Sequence, residues 1–197
     1  MTAVRRGRPG YDLESLLAVA VKVFNEKGYD GTSMDDVSRR LGRTKSAIYH
    51  HVAGKEELLR LALDRALDAL FAVTEEPAFR DGPAIQRLEF LVRGSVLVLA
   101  GELPYVTLLL RVRGNTPVER AALSRRRRFD KIVTALVTEA EADGDVRPDV
   151  DPAITARVLF GLVNSLVEWY RPRGAAPAES LADAVVKVAF EGLRVRA

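Results

Sequence analysis

Hydrophobic residues recur along this chain three and four positions apart, and no run alternates like a strand or carries a hairpin dipeptide. The pattern predicts an all-α protein. A first helix falls at residues 13–27, where Leu13, Leu17, Ala20, Val21 and Phe24 form one stripe, Asp12 can cap the start and Gly28 can stop the end. Ser33 and Asp36, spaced as a capping box, open a short second helix ending near Leu41 and Gly42. Thr44 caps a third over residues 45–51, followed by a turn at Ala53 and Gly54. Residues 55–71 make an amphipathic fourth through Leu58, Leu59, Ala62, Leu63, Ala66 and Leu70. The breaker-rich stretch 74–83 then divides the chain. Beyond it, helices are predicted at residues 84–101, 103–112, 117–143, 152–170 and 179–195, the fourth of these opened by Asp151 as cap and Pro152 at the first helical position.

This gives two regions: a three-helix head at residues 1–54 with a basic N-terminal arm, and a helical body at residues 55–197. With 197 residues, 48% of them hydrophobic, the chain can fill a real core, which excludes disordered and collagen-like classes. It has no cysteine, so disulfides and thiolate chemistry are excluded, in keeping with a reducing cytoplasm. No apolar stretch follows Arg5, Arg6 and Arg8, so no secretory signal is predicted. The greasiest region, 88–112, is broken by Glu89, Arg93, Glu102 and Arg111, so no membrane span is expected. Charge adds one point. The net +3 resolves into +4 over residues 1–55 and −1 over the rest, and a basic head on a near-neutral body suits a polyanionic partner for the head.

The second and third helices, joined around Gly42, fit a helix-turn-helix. A recognition helix enters the major groove by its N-terminal end, which suits the compact or extendable donors Thr44, Lys45 and Ser46. Ala47 and Ile48 then face the other helices, Tyr49 and His50 lie where they can donate to phosphate, and Lys55 adds charge at the next helix start. The same residues also describe a small three-helix knot with a solvated polar face, and periodicity by itself leaves both readings open.

The run Phe24-Asn25-Glu26-Lys27-Gly28-Tyr29-Asp30-Gly31-Thr32-Ser33-Met34-Asp35-Asp36-Val37, with Leu41-Gly42-Arg43-Thr44-Lys45-Ser46-Ala47-Ile48-Tyr49-His50-His51 and Lys55-Glu56-Glu57-Leu58, resembles the signature of the tetracycline-repressor-like (TetR) family. The resemblance implies a homodimeric, ligand-responsive transcriptional repressor that reads palindromic double-stranded operator DNA and is released by a small-molecule effector. By position it assigns DNA contacts to Ser33, Thr44, Lys45, Ser46, Tyr49, His50 and Lys55. Arg43 stands where the family usually has an aliphatic residue and is a candidate extra DNA contact; Val52 replaces the usual aromatic, which implies looser head packing. The arm Arg5-Arg6-Gly7-Arg8-Pro9 resembles family members with an arm near the DNA. The 144–152 turn, the segment from Gly161 to Pro172 and the helix that follows are similar to regulators of fatty-acid, steroid or aromatic-acid catabolism, which implies a coenzyme A thioester as effector.

Other constellations carry less. His50 and His51 point to different faces with no cysteine or third histidine near them, so no metal site is expected. Asp35 and Asp36 read as a negative first helical turn. No nucleophile elbow or phosphate-cradling glycine loop appears, so an all-α binding protein or enzyme with an incidental basic head is the weaker alternative, and no cofactor is called for. The helix at 152–170 is apolar on most sides: Val158, Leu162, Leu166 and Trp169 mark one face and Leu159, Val163 and Tyr170 its neighbour, which points to a dimer interface as well as a core. In the run Arg125-Arg126-Arg127-Arg128, Arg127 reads as solvated, but Arg125 falls on the apolar stripe that contains Phe129, with Arg126 at its edge. Such a cation needs a partner, either an internal carboxylate such as Glu102 or the anionic group of a ligand, and Arg125, Arg126 and Phe129 are the candidate ligand contacts.

Overall fold

The structure is a computed structural model that describes residues 12–172 and 177–191. Among these residues the chain forms ten α-helices, one 3-10 turn and no strand, as the periodicity predicts. Two compact units divide at residue 62, and the expected basic arm, residues 5–9, lies outside the described residues.

The first unit holds α1 (Leu13–Lys27), α2 (Met34–Leu41), α3 (Lys45–Tyr49) and the start of α4 (Lys55–Ala72). Its helices begin where local chemistry demands. Asp12 accepts from the Ser15 amide at 2.9 Å, and Ser33 and Asp36 form the reciprocal capping box. Gly42 takes the left-handed conformation, φ 68°, that lets α2 stop and the chain turn into α3 within a few residues. The core is Leu16, Leu17, Ala20, Val21, Val23 and Phe24 from α1 closed by Val37, Ile48, Val52 and Leu58. Leu13, expected on the buried stripe, is 38% exposed because the stripe drifts round to Leu16 at the first turn. Val52 is buried despite its small size.

The second unit is built round α6 (Ala84–Gly101), which packs against α8 (Pro117–Ala142), α9 (Pro152–Trp169) and α10 (Ala178–Glu191). Leu88, Leu91, Val92, Val96 and Leu99 carry that burial. Ser95, buried among them, donates its hydroxyl to the Leu91 carbonyl at 2.7 Å and so leaves no unmet donor. α6 and α7 (Leu103–Arg111) meet at a 102° bend, because Pro104 cannot continue α6 but fits the first turn of a new helix. No single described helix is long and apolar enough to cross a membrane. α8 opens on a second capping box, Thr116 with Glu119, the Ser/Thr-x-x-Glu signal of a helix start. The last helix, expected to reach residue 195, is described to Glu191.

The stretch 74–83 is not an open divider. It folds into a 3-10 turn (Val73–Glu75) and a short α5 (Pro77–Arg80), with Pro77 at the helix start, and both pack on α6. Thr74 is buried with its hydroxyl donated to the Phe71 carbonyl at 2.7 Å, and Arg87 donates to the Phe79 carbonyl at 2.9 Å. The approach is close enough to require a glycine: a Cβ on Gly94 would sit 2.5 Å from Val73 Cγ1. Val73 is β-branched and stiff. Gly94→Ala should therefore cost about 1–3 kcal/mol in urea unfolding, as overpacking does. Combining it with Val73→Ala should recover part of the loss; strictly additive losses would show that the two positions do not touch.

Candidate functional site

The reading end of the head is made by backbone geometry. Thr44 holds extended dihedrals and accepts from the Ala47 amide at 3.3 Å, which fixes the first turn of α3. Before it, the Arg43 amide donates to the Ser38 carbonyl at 3.2 Å and the Ser38 hydroxyl donates back to the Arg43 carbonyl. Buried Ile48 pins the other side of the helix into the core. What remains outward is Arg43, Lys45, Ser46, Tyr49 and His50, all exposed, with Tyr49 at 50%. Among the described residues the side chains of Arg43, Ser46, Tyr49 and His50 make no hydrogen bond or ion pair, so their donors are free to meet a partner.

Three expected contacts are placed differently. Lys45 forms an ion pair with Asp35 of α2, Nζ to Oδ2 2.7 Å, and that hydrogen bond raises its pKa above the ordinary lysine value. Ser33 is spent on the cap: its hydroxyl donates to Asp36 at 2.6 Å. Lys55 is turned inward. Its ammonium donates to the Tyr29 and Thr32 carbonyls, both at 2.9 Å, and lies 4.3 Å from the Tyr29 ring centre. In this structure the Lys55 side chain, expected near phosphate, ties the start of α4 to the α1–α2 connection. Charged straps also hold α1 and α2 together. Lys27 reaches Asp36 at 2.6 Å and Arg40 reaches Glu26 at 2.5 Å. The Lys27 and Ser33 hydrogen bonds hold the Asp36 carboxyl far below the usual carboxylate range, so its contribution to stability is present above that range and lost only as the pH falls into strong acid.

In the second unit the four consecutive arginines separate by helical phase. Arg125 donates to Asp64 at 2.9 Å and to Asp68 at 2.5 Å, both on α4. It is not part of the lining of the apolar cavity beside Phe129, and Glu102, an example of the internal carboxylate expected to meet it, is held by Arg65 at 2.7 Å. Arg125 thus links α8 to α4, in keeping with the internal-carboxylate reading that the sequence offered beside the ligand one. Arg128 covers the Phe71 ring at 4.9 Å. Arg126 instead lines a small, mostly apolar cavity of about 50 Å³ with Phe129, Leu70, Leu99, Phe160 and Asn164. Arg126, Asp130, Phe160 and Asn164 also line a larger cleft between α8 and α9 of about 390 Å³, to which Arg127, Lys131 and Arg157 contribute. Loss of solvent pushes the Asp130 carboxyl above its ordinary pKa, against the pull of Arg126 and Arg157. Two expected residues, Arg126 and Phe129, are thus brought together at the cavity. Asp130, Lys131, Arg157 and Asn164 were not anticipated, although Arg157 and Asn164 form a narrow polar arc on an otherwise apolar helix, which was the available signal.

A capped two-helix unit with free donors on its second helix, joined to a helical body with an internal cavity, is the arrangement of a DNA-binding transcriptional regulator. The bacterial regulatory protein tetR family signature matches residues 16–62 and the tetracyclin repressor-like C-terminal domain matches residues 81–193. The chain belongs to the TetR family. A TetR-family member from Streptomyces coelicolor A3 has 54% identity to it and a TM-score of 0.87, over 98% of this chain and 97% of that one. The transcriptional repressor KstR2 of Rhodococcus jostii has 27% identity over 190 residues, 95% of this chain and 93% of its own. AibR, solved in complex with isovaleryl coenzyme A and operator DNA, has 25% identity and a TM-score of 0.75, over 90% of this chain and 97% of its own.

The two lysines should separate experimentally. Lys45→Ala should weaken DNA binding and leave the thermal midpoint of the protein unchanged. Lys55→Met should lower stability by about 1–3 kcal/mol, because two carbonyls lose their donor. Equal effects of the two substitutions on both measurements would contradict the assignment.

Proposed function

We propose that the chain is a repressor that binds a palindromic operator as a homodimer and is released by a small-molecule effector held in the second unit. The observation that carries the reading is the row of uncommitted donors on Arg43, Ser46, Tyr49 and His50 beside the capped start of α3. Such a row suits base edges and phosphates, and Lys45 joins it by exchanging Asp35 for DNA. A head that ends at residue 54, with a body from residue 55, is the division of labour we adopt: DNA to the first, effector and partner to the second.

The effector we favour is acidic and partly apolar, a coenzyme A thioester being the first choice, with Arg126 and Phe129 as its contacts. AibR, seen with isovaleryl coenzyme A, supports the class. The cavity's aromatic and aliphatic lining with one arginine at its edge suits the chemistry. Release requires that the effector favour a conformation that binds DNA poorly; a differential of about 2–3 kcal/mol weakens the complex by tens- to a hundred-fold. α4 is the natural lever, because Arg125 fastens it to the helix that lines the cavity.

The partner surface is an apolar stripe on α9 and α10. Ile154, Val158 and Trp169 on α9 and Val188 on α10 are all more than half exposed, large apolar side chains that a lone protomer leaves in water. Leu166, expected on this face, is instead 2% exposed and belongs to the protomer core with Leu159 and Val163. A second copy related by a two-fold axis buries the stripe against itself.

Labelled palindromic DNA from the neighbouring promoter, titrated at two salt concentrations with and without a panel of coenzyme A thioesters, tests the reading. Affinity should fall steeply with salt and with the effector. The double variant Val158→Glu/Val188→Glu should sediment as a folded monomer and lose at least ten-fold in operator affinity, since two half-sites are engaged together. A wild-type protein that stays monomeric at micromolar concentration, or a DNA complex that no thioester disturbs, would count against the proposal.

A further inference from the structure

The larger cleft between α8 and α9 has a charge pattern that DNA binding does not use. Arg126, Arg127 and Lys131 come from α8, with Lys131 one helical turn beyond Arg127, and Arg157 faces them from α9. Among the described residues none of these four cations has an ion-pair partner within 4 Å. A single carboxylate, Asp130, stands between Arg126 and Arg157. Four like charges in one concave cleft repel one another, and walls of low dielectric concentrate their field outward, so an entering anion gains more there than on an open surface. Asn164 adds a neutral amide to the lining, while Thr134, also there, donates its hydroxyl to the Asp130 carbonyl at 2.9 Å. At Gly161 an added Cβ would meet nothing within 4 Å, so the α9 wall is open there.

The two pockets share Arg126, Asp130, Phe160 and Asn164, so an apolar chamber and a cationic cleft meet at one common wall. We propose that the cleft is a phosphate-binding subsite for the carrier end of an amphiphilic ligand: a short acyl group enters the inner cavity, and the phosphates of its nucleotide-type carrier lie on Arg127, Lys131 and Arg157. This assignment rests on the reading that the second unit takes an effector. The inner cavity sets the acyl length. At about 50 Å³ it is small, so it favours a short or branched acyl group over a long chain. The carrier's charge, rather than its acyl group, then supplies the salt-sensitive part of the affinity.

The test is calorimetric titration of the full-length protein with three probes at two salt concentrations: free coenzyme A, isovaleryl coenzyme A, and the phosphate-free thioester isovaleryl pantetheine. Free coenzyme A should bind more weakly as salt rises. Lys131→Gln/Arg157→Gln should lose at least ten-fold for both coenzyme A probes and nothing for the phosphate-free thioester, and Arg127→Gln/Lys131→Gln, also confined to exposed side chains, should behave alike. Coenzyme A that fails to bind the wild type, or that binds both variants as it binds the wild type, as attachment to the basic head would produce, overturns the subsite. Cleft-dependent binding that leaves a preformed DNA complex intact supports the subsite while refuting the effector reading.

Discussion

A helix of five residues does not persist in water unless its surroundings hold it, because the nucleating turn fixes several dihedrals for one hydrogen bond. α3 is such a helix, and recognition of DNA by this protein depends on what holds it. Thr44 supplies the missing acceptor at its start, the paired contacts between Ser38 and Arg43 fix the turn that feeds it, and Ile48 anchors it in the core. Charges act one layer further out. Lys27 and Arg40 tie α1 to α2, and Lys55 ties α4 to the loop between them. Surface ion pairs of this kind are individually weak, about 0–1 kcal/mol, so the value of the straps lies in fixing geometry that a small core leaves loose.

The second unit depends on the phase of α8. One helix of 26 residues buries Ala122, Phe129, Val133, Leu136, Val137 and Ala140 on a single stripe. Residues at the stripe's edges are thereby committed to different neighbours at 100° intervals. Arg125 goes to α4, Arg126 to the cavity, Arg127 to the cleft and Arg128 to the Phe71 ring. On the proposed reading, a ligand beside Arg126 that displaced α8 would be felt one residue away by the acids on α4. That is a short mechanical path from chamber to lever, made of packed atoms rather than of a long relay.

Local signals were legible in the sequence and distant ones were not. Asp12, Ser33, Thr44 and Asp151 cap helices because their acceptors serve amides two or three residues on, and the order of the helices followed from spacing alone. That Arg125 needs an internal carboxylate could be read from its phase, but which one could not, because Asp64 and Asp68 are 61 and 57 residues away and no local rule ranks them above Glu102. Lys55 turned inward for the same reason, its acceptors being 26 and 23 residues back. α9 is apolar on two adjoining faces, so periodicity could not say whether Leu166 or Val158 faces the core; only packing against α8 and α6 decides it. Prolines and glycines at 74–83 suggested an open connection, whereas Pro77 starts a helix and Gly94, outside the stretch, admits the turn against α6.

The proposed reading has α3 entering the major groove by its N-terminal end, once from each of two protomers. Hydroxyl-radical footprinting on the promoter fragment measures that placement directly. The account requires two protected segments on one face of the duplex, symmetric about their midpoint and separated by about one helical turn of 10–10.5 base pairs or a whole multiple of it. A single unpaired segment, or protection that spreads evenly without a sequence boundary, would contradict it.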